Sequence, residues 1–156
     1  MRVLVDTNVV LDVLLNRKPF AEAAARVLAL VEESRIEGFL CATTVTTIDY
    51  LLGQALAATE ARAALQRLLD LFEIAPVNRP VLEQALRSGV SDFEDAVLEQ
   101  AARLVSADAI ITRNLTDTCS VVIRVGHWSR SSRYMNLIRI FGPTTESGRQ
   151  IDEVTV

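Results

Sequence analysis

Short apolar runs alternate along the chain with longer segments in which apolar residues recur at every third or fourth position. The short runs predict buried parallel strands at residues 3–5, 39–42, 71–77 and 109–112. The longer segments predict amphipathic helices at residues 9–15, 21–33, 45–57 and 60–69, between residues 78 and 89, and from residue 91 to about 104. This alternation predicts an α/β fold with three αβα layers around a central, mostly parallel sheet of four or five strands.

Polar residues that favour helix ends stand at several of these boundaries. Asn78 is a good N-cap, Pro80 falls in the first turn that follows, and Gly89 comes just after that helix. Residues 91–94 (Ser-Asp-Phe-Glu) have the form of a capping box, which predicts that the next helix begins there, with Asp92 at its first position. Thr or Asn residues at positions 7, 8, 43 and 44 are the expected caps of two earlier helices.

The last forty residues have a different character from the rest. Residues 1–118 carry 11 basic and 17 acidic side chains, whereas residues 119–156 carry five Arg and three acids. We therefore expect an α/β domain over 1–118 and a divergent C-terminal segment over 119–156. In that segment the pattern predicts a strand at 120–125, a second at 136–141, and little fixed structure beyond Gly142.

Composition narrows the functional classes. The 156 residues suit one domain, and the formal net charge of −4 argues against a broad basic surface that grips nucleic acid by charge alone. Two cysteines, Cys41 and Cys119, are too few for a disulfide-stabilised secreted module. Because neither a signal peptide nor an uncharged apolar run of membrane-spanning length is evident, we expect a cytoplasmic protein with no membrane association.

Acidic and amide side chains follow the predicted strands. Asp6 ends the first strand, Asp92 and Asp95 open the helix before the fourth, and Asn114 and Asp117 follow the fourth. Ligands bind to open α/β sheets at the carboxyl ends of the strands, so these groups are expected at one edge. Crowded carboxylates repel unless a cation compensates them, and oxygen-only donors suit Mg²⁺ or Mn²⁺. Such a site can support phosphodiester hydrolysis.

Four blocks together resemble the PIN domain, and most closely its VapC-type toxin branch. They are residues 3–12 (VLVDTNVVLD), 43–51 (TTVTTIDYL), 92–96 (DFEDA) and 107–117 (ADAIITRNLTD). The resemblance implies a metal-dependent endoribonuclease that acts on RNA, the toxin of a toxin–antitoxin pair, with an antitoxin partner and a homodimeric state. It implies Mg²⁺ or Mn²⁺ as the cofactor.

The family's acids are carried over position by position. Its first acid falls on Asp6, its third on Asp95 and its fourth region on Asn114 and Asp117, with Thr112 helping to hold that loop. Its second acid is a Glu, and Asp49, one methylene shorter, stands in that frame after Thr43 and Thr46. The implied catalytic residues are Asp6, Asp49, Asp95 and Asp117, and the candidate metal ligands are Asp6, Asp92, Asp95, Asn114 and Asp117. The chain departs from the family at Thr118, where Phe is usual, and in the residues after it.

Two other functions stay open at this point. One is a PIN-like module that has lost activity and binds RNA or protein. The other is a phosphotransfer domain, such as a receiver or a haloacid-dehalogenase-like phosphatase; these need a Lys late in the sheet, whereas Lys18 is the single Lys of the chain. Arg17, Lys18 and Arg113 are candidates for phosphate contact, and Asp12 is expected to face solvent or a neighbouring Arg.

Overall fold

The computed structural model describes residues 1–113 and the backbone of two further strands, 121–125 and 133–136. Six helices and six strands follow one another in these residues. They are β1 (Arg2–Val5), α1 (Thr7–Leu14), α2 (Ala21–Glu32), β2 (Glu37–Cys41), α3 (Ala42–Ala55), α4 (Ala58–Leu71), β3 (Glu73–Ala75), α5 (Arg79–Arg87), α6 (Phe93–Leu104), β4 (Ala109–Arg113), β5 (Val121–Val125) and β6 (Arg133–Asn136).

The strands form one sheet in the order β3-β2-β1-β4-β5-β6. The first four are parallel, and β1 lies at their centre, with Leu4 opposite Phe39 of β2 and Ile110 of β4. Strands β5 and β6 are antiparallel additions beyond β4. The expected α/β architecture with a mostly parallel sheet is therefore confirmed, although the sheet has six strands where four or five were predicted.

Alternation along the central strand separates two hydrophobic cores. Val3 and Val5 pack on one face of the sheet with apolar residues of α1, α2, α3 and α4. Leu4 points to the other face, where it packs with residues of α5 and α6. A strand with both faces covered is apolar along its whole length, which explains why β1 is a continuous apolar run. The molecule thus has the three layers that the sequence predicts.

Close packing of helices on the sheet requires glycine at one position of β2. A Cβ atom added at Gly38 of β2 would lie 2.7 Å from ring carbons of Phe72 and 2.8 Å from Cγ1 of Val31. No real side chain tolerates such contacts, so only glycine lets α2 and the end of α4 pack on β2 at this distance.

Local cap signals predicted some helix starts and missed others. Asn78 caps α5 as expected, since its side-chain oxygen accepts from the N–H of Val81 at 3.2 Å. Helices α1 and α3 begin earlier than predicted, with Asp6 and Cys41 at their N-caps, and neither side chain caps the helix. In α6 the N-cap is Asp92, so the expectation that Ser91 caps this helix and that Asp92 is its first residue was wrong.

In the C-terminal segment, the predicted strand at 120–125 corresponds to β5, and a second strand is described at 133–136. The strand predicted at 136–141 lies, apart from residue 136, outside the described residues. The expectation of little fixed structure beyond Gly142 falls outside the described residues. Of the helices in the described part of the chain, none has both the length and the apolar character to cross a bilayer.

Candidate active site

The candidate site lies where the chain reverses its direction across the sheet. From β1 the chain moves outward through β2 to β3, and it then returns past β1 to form β4 on the other side. Crevices at the carboxyl ends of strands beside such a switch point are the usual ligand sites of open α/β sheets. Here Asp6 follows β1 directly, Thr112 lies near the end of β4, and the first turn of α6 approaches the same edge.

Asp6 is held from two directions. Its backbone N–H donates to the carbonyl oxygen of Ile111 at 2.9 Å, which fixes the main chain against β4. The Thr112 hydroxyl donates to Oδ2 of Asp6 at 2.7 Å, which orients the half-buried carboxylate. Because the two residues are 106 positions apart, folding of the whole parallel sheet is needed to set this carboxylate in place.

The first turn of α6 provides three further acids. Asp92 closes the turn, since its Oδ1 accepts from the N–H groups of Glu94 at 2.8 Å and Asp95 at 3.1 Å. Asp92, Glu94 and Asp95 line one cleft together with Asp6. The cleft encloses about 490 Å³, which is enough for a nucleotide-sized ligand.

The acids of this cleft affect one another electrostatically. Partial desolvation raises the pKa of Glu94 above its ordinary value, and the negative charges of Asp6, Asp92 and Asp95 raise it further. Repulsion of this kind favours the uncharged form of a carboxyl group unless a cation lies nearby. The cleft is therefore a region of excess negative charge.

The opposite wall of the cleft is made of hydroxyl groups. Thr43, Thr44 and Thr47 of α3 line it, and the Thr7 hydroxyl donates to Oγ1 of Thr44 at 3.2 Å. Both partners of this bond are buried, so it ties the start of α1 to the start of α3. Arg17 completes the lining as the one cationic side chain among the described residues that face the cleft.

Asp49 lies apart from this cleft. It occurs on α3 two positions after Thr47, which is about 200° around the helix axis. Its Oδ2 is 3.5 Å from a guanidinium nitrogen of Arg62, and the two residues line a separate groove between α3 and α4. The structure therefore brings Asp6, Asp92 and Asp95 together and leaves Asp49 out, because the helical phase of α3 directs Thr47 and not Asp49 into the cleft.

A buried ion pair lies beneath the cleft. Asp12 of α1 is 1% exposed, and a guanidinium nitrogen of Arg113 lies 3.4 Å from its Oδ1. The Arg113 guanidinium also stacks on the Phe20 ring, 4.7 Å from its centre. Burial raises the pKa of Asp12, while the charges of Arg113 and Arg17 oppose that rise. Asp12 therefore faces a neighbouring Arg, one of the two expected surroundings, and Arg113 is engaged in packing.

Several cleft residues, among them Glu94, Thr44 and Thr47, had no assigned part in the sequence-based site. Glu94 seemed fully accounted for by the capping-box pattern, and the two Thr residues, Thr44 and Thr47, by the helix start. The helical spacing of residues 43, 47 and 51, all of which line the cleft, is a signal that could have identified the inward face of α3.

The side chains that line the cleft are of the chemical types that bind a hard divalent cation. The cleft offers carboxylates and hydroxyls and no His or Cys, which is the chemistry of Mg²⁺ and Mn²⁺ sites. Within residues 1–113, however, no group of three or more acidic, His or Cys side chains converges closely enough to hold an ion. Asn114 and Asp117, which the sequence also nominates, lie outside the described residues.

Comparison with known proteins shows the fold and the family of the chain. No curated protein matches the chain in sequence. Among solved structures, the chain is similar to one in the crystal structure of VapBC2 from Rickettsia felis bound to a DNA fragment from their promoter. The TM-score is 0.56 at 14% identity, over 74% of this chain and 90% of that one, which establishes likeness of fold. The family model of the PIN domain matches residues 2–116, so the chain belongs to the PIN-domain family.

Proposed function

We propose that the protein is a metal-dependent endoribonuclease that hydrolyses phosphodiester bonds of RNA in the cleft that α1, α3 and α6 line beside the carboxyl end of β1. One observation carries the proposal: Asp6 and Asp95, 89 positions apart, line the same polar cleft at the switch point of a PIN-family sheet. PIN domains are typically nucleases, and metal-dependent phosphodiester hydrolysis needs acidic groups gathered at one place to hold the cation.

The described residues divide the work between them. Asp6 and Asp95 are the proposed cation ligands, with Asn114 and Asp117 joining them on the strength of the family resemblance. Asp92 holds the first turn of α6 through its Oδ1. A bound Mg²⁺ or Mn²⁺ would supply positive charge that polarises the phosphoryl group and offsets the charge of the acids. Thr112 holds Asp6 in one orientation through its 2.7 Å hydrogen bond.

Glu94 is the fourth acid of the cleft, and desolvation and its acidic neighbours raise its pKa. It therefore adds to the negative charge that a bound cation would offset. Asp49 has no place in this scheme because it lies outside the cleft beside Arg62.

The direct test is cleavage of single-stranded RNA by the purified protein in Mg²⁺, in Mn²⁺ and in EDTA. We expect cleavage in the two metal ions only, reduced at least about 100-fold by Asp6→Asn or Asp95→Asn. Asp70→Asn is the matched control, because Asp70 is an exposed acid of α4 that bonds Gln66 and lies outside the cleft. Cleavage that survives in EDTA, or that both cleft variants retain, contradicts the proposal.

A second candidate is a PIN-family module that binds RNA or protein without cleaving it. The placement of Asp49 away from the cleft favours it, since the position that carries the second acid of the family contributes nothing to this site. RNA binding that persists with no cleavage in Mg²⁺ or Mn²⁺ would select this candidate.

We also propose an antitoxin partner and a homodimer, as in a toxin–antitoxin system. The likeness of fold to a chain of VapBC2 and membership of the PIN family support this. Growth arrest on expression that a co-expressed small neighbouring gene relieves would support the partner. Light scattering that gives the mass of a single chain at micromolar concentration would remove the homodimer.

A further inference from the structure

Arg17 lies in the connection between α1 and α2, and its backbone is fixed on both sides. Its N–H donates to the carbonyl oxygen of Asp12 at 2.9 Å. Its own carbonyl accepts from the N–H groups of Phe20 at 3.0 Å and Ala21 at 2.9 Å. The half-buried side chain therefore extends into the cleft from a well-held main chain.

The three candidate phosphate-binding cations differ sharply in their surroundings. Arg113 forms an ion pair with Asp12 and stacks on the ring of Phe20 beneath the cleft. Lys18 is exposed and does not line the cleft. Arg17 lines the cleft, and among the ion pairs within residues 1–113 none includes it. Its charge opposes the rise that burial causes in the pKa of Asp12, and four acids share the cleft with it, but none of these ion pairs holds its guanidinium.

We infer that Arg17 binds a backbone phosphate of the RNA strand in this cleft. The inference rests on the proposed function. It names the side chain that offsets the electrostatic repulsion between this acidic protein and the polyanionic RNA. A guanidinium presents a planar fork of N–H donors that matches two phosphate oxygens, which an exposed Lys cannot reproduce. With a net charge of −4, the protein gains little from general attraction, so a single placed cation carries much of the phosphate contact.

Binding of RNA, measured apart from cleavage, tests the inference. The probe is a fluorescein-labelled single-stranded RNA of mixed sequence, followed by anisotropy in Mg²⁺ with Asp95→Asn protein so that it stays intact. We compare Arg17→Gln, Arg17→Lys and Lys18→Gln; the last removes the same charge one position away. Thermal unfolding of each variant confirms that it is folded.

We expect Arg17→Gln to weaken binding about 10-fold and to reduce the slope of log K against log salt by about 0.7, the contribution of one phosphate contact on a single strand. Arg17→Lys should recover the slope and part of the affinity, while Lys18→Gln should change affinity less than about twofold. Equal losses in Arg17→Gln and Lys18→Gln, or no loss in Arg17→Gln, overturn the inference.

The two proposals fail in different ways. A wild-type protein that binds RNA without cleaving it, and loses binding on Arg17→Gln, overturns the nuclease and supports the phosphate contact. A protein that cleaves RNA with the same KM before and after Arg17→Gln supports the nuclease and overturns the contact. When both hold, Arg17→Gln raises KM by a larger factor than it lowers kcat.

Discussion

Two acidic regions of this molecule have opposite electrostatic surroundings. In the groove between α3 and α4, Oδ2 of Asp49 lies 3.5 Å from a guanidinium nitrogen of Arg62. In the cleft beside β1 and β4, Asp6 shares the lining with Asp92, Glu94 and Asp95, and their charges raise the pKa of Glu94. The ionised form of an acid is stabilised by a neighbouring cation within the fold, whereas acids that crowd together are stabilised in that form by a cation bound from solution.

The position of these regions in the fold explains the contrast. The cleft lies at the switch point of the sheet, where the chain leaves β1 towards β2 on one side and β4 pairs with β1 on the other, and residues of α1, α3 and α6 line it. The groove lies on the surface of two adjacent helices, where an ion pair is exposed to water and contributes little. The position of an acid in the family's sequence pattern therefore does not by itself decide whether its side chain lines the cleft. The phase of the helix must also direct the side chain towards the cleft.

The largest expected difference between the two regions is in RNA cleavage. Asp95→Asn should lower kcat/KM at least about 100-fold, because it removes a proposed cation ligand. Asp49→Asn should change it less than about twofold, since Asp49 faces Arg62 outside the cleft. If Asp49→Asn abolishes cleavage while Asp95→Asn preserves it, the assignment of the two regions is reversed.

Loss of the ion pair beneath the cleft should lower the free energy of unfolding more than loss of the ion pair in the groove. Asp12→Ala should lower the free energy of unfolding by about 3 kcal/mol, because Asp12 is 1% exposed and its loss leaves Arg113 without its partner. Asp49→Ala breaks an exposed pair and should cost less than about 1 kcal/mol. Urea titrations measure both; similar costs would show that burial does not separate these pairs.

The hydrogen bond that orients Asp6 should matter for activity more than for stability. Thr112→Val keeps the size of the side chain but removes the hydroxyl that donates to Asp6 at 2.7 Å. We expect kcat to fall about 10-fold and the free energy of unfolding by about 1 kcal/mol. Thr112→Ser, which retains the hydroxyl, should restore most of the kcat. A Val variant with the wild-type kcat would show that Asp6 needs no such orientation.

A smaller effect is expected from relief of repulsion in the cleft. Because the pKa of Glu94 is raised in the folded protein, its ionisation costs stability at neutral pH. Glu94→Gln should therefore stabilise the metal-free protein at pH 7 by about 0.5 kcal/mol, a small value since solvent screens an exposed group. The gain should vanish as pH falls below the ordinary pKa of Glu, 4.5, where both proteins are uncharged at this position. A gain that grows towards low pH would contradict this account.

Much of the fold followed from local pattern, since β1, β2 and β4 are largely buried apolar runs and Asn78 caps α5 as its type suggests. Strand β3 is shorter than the predicted 71–77, and only its Ala75 is buried. The starts of α1 and α3 could not be predicted in the same way. Asp6 is the N-cap residue of α1, but its carboxylate accepts from Thr112, 106 positions away. A long-range contact thus replaced the local cap that a sequence window can detect.

Part of the candidate site could also be predicted from the sequence. That Asp6 and Asp95 meet follows from the topology of parallel sheets, which sets the carboxyl ends of strands at one edge. The side of α3 that faces the cleft depends on how this helix packs on α1 and α4, as the buried bond between Thr7 and Thr44 shows. Asp49 was therefore placed by resemblance in a site that the packing of α3 gives to Thr47.

The most direct measurement is a crystal of the protein soaked in Mn²⁺, with anomalous diffraction recorded at the manganese edge. The account predicts a peak in the cleft within ligand distance, about 2.2 Å, of carboxylate oxygens of Asp6 and Asp95. It predicts loss of that peak in Asp6→Asn crystals. A fully soaked crystal with no peak in the cleft, or with manganese bound beside Asp49, would contradict it.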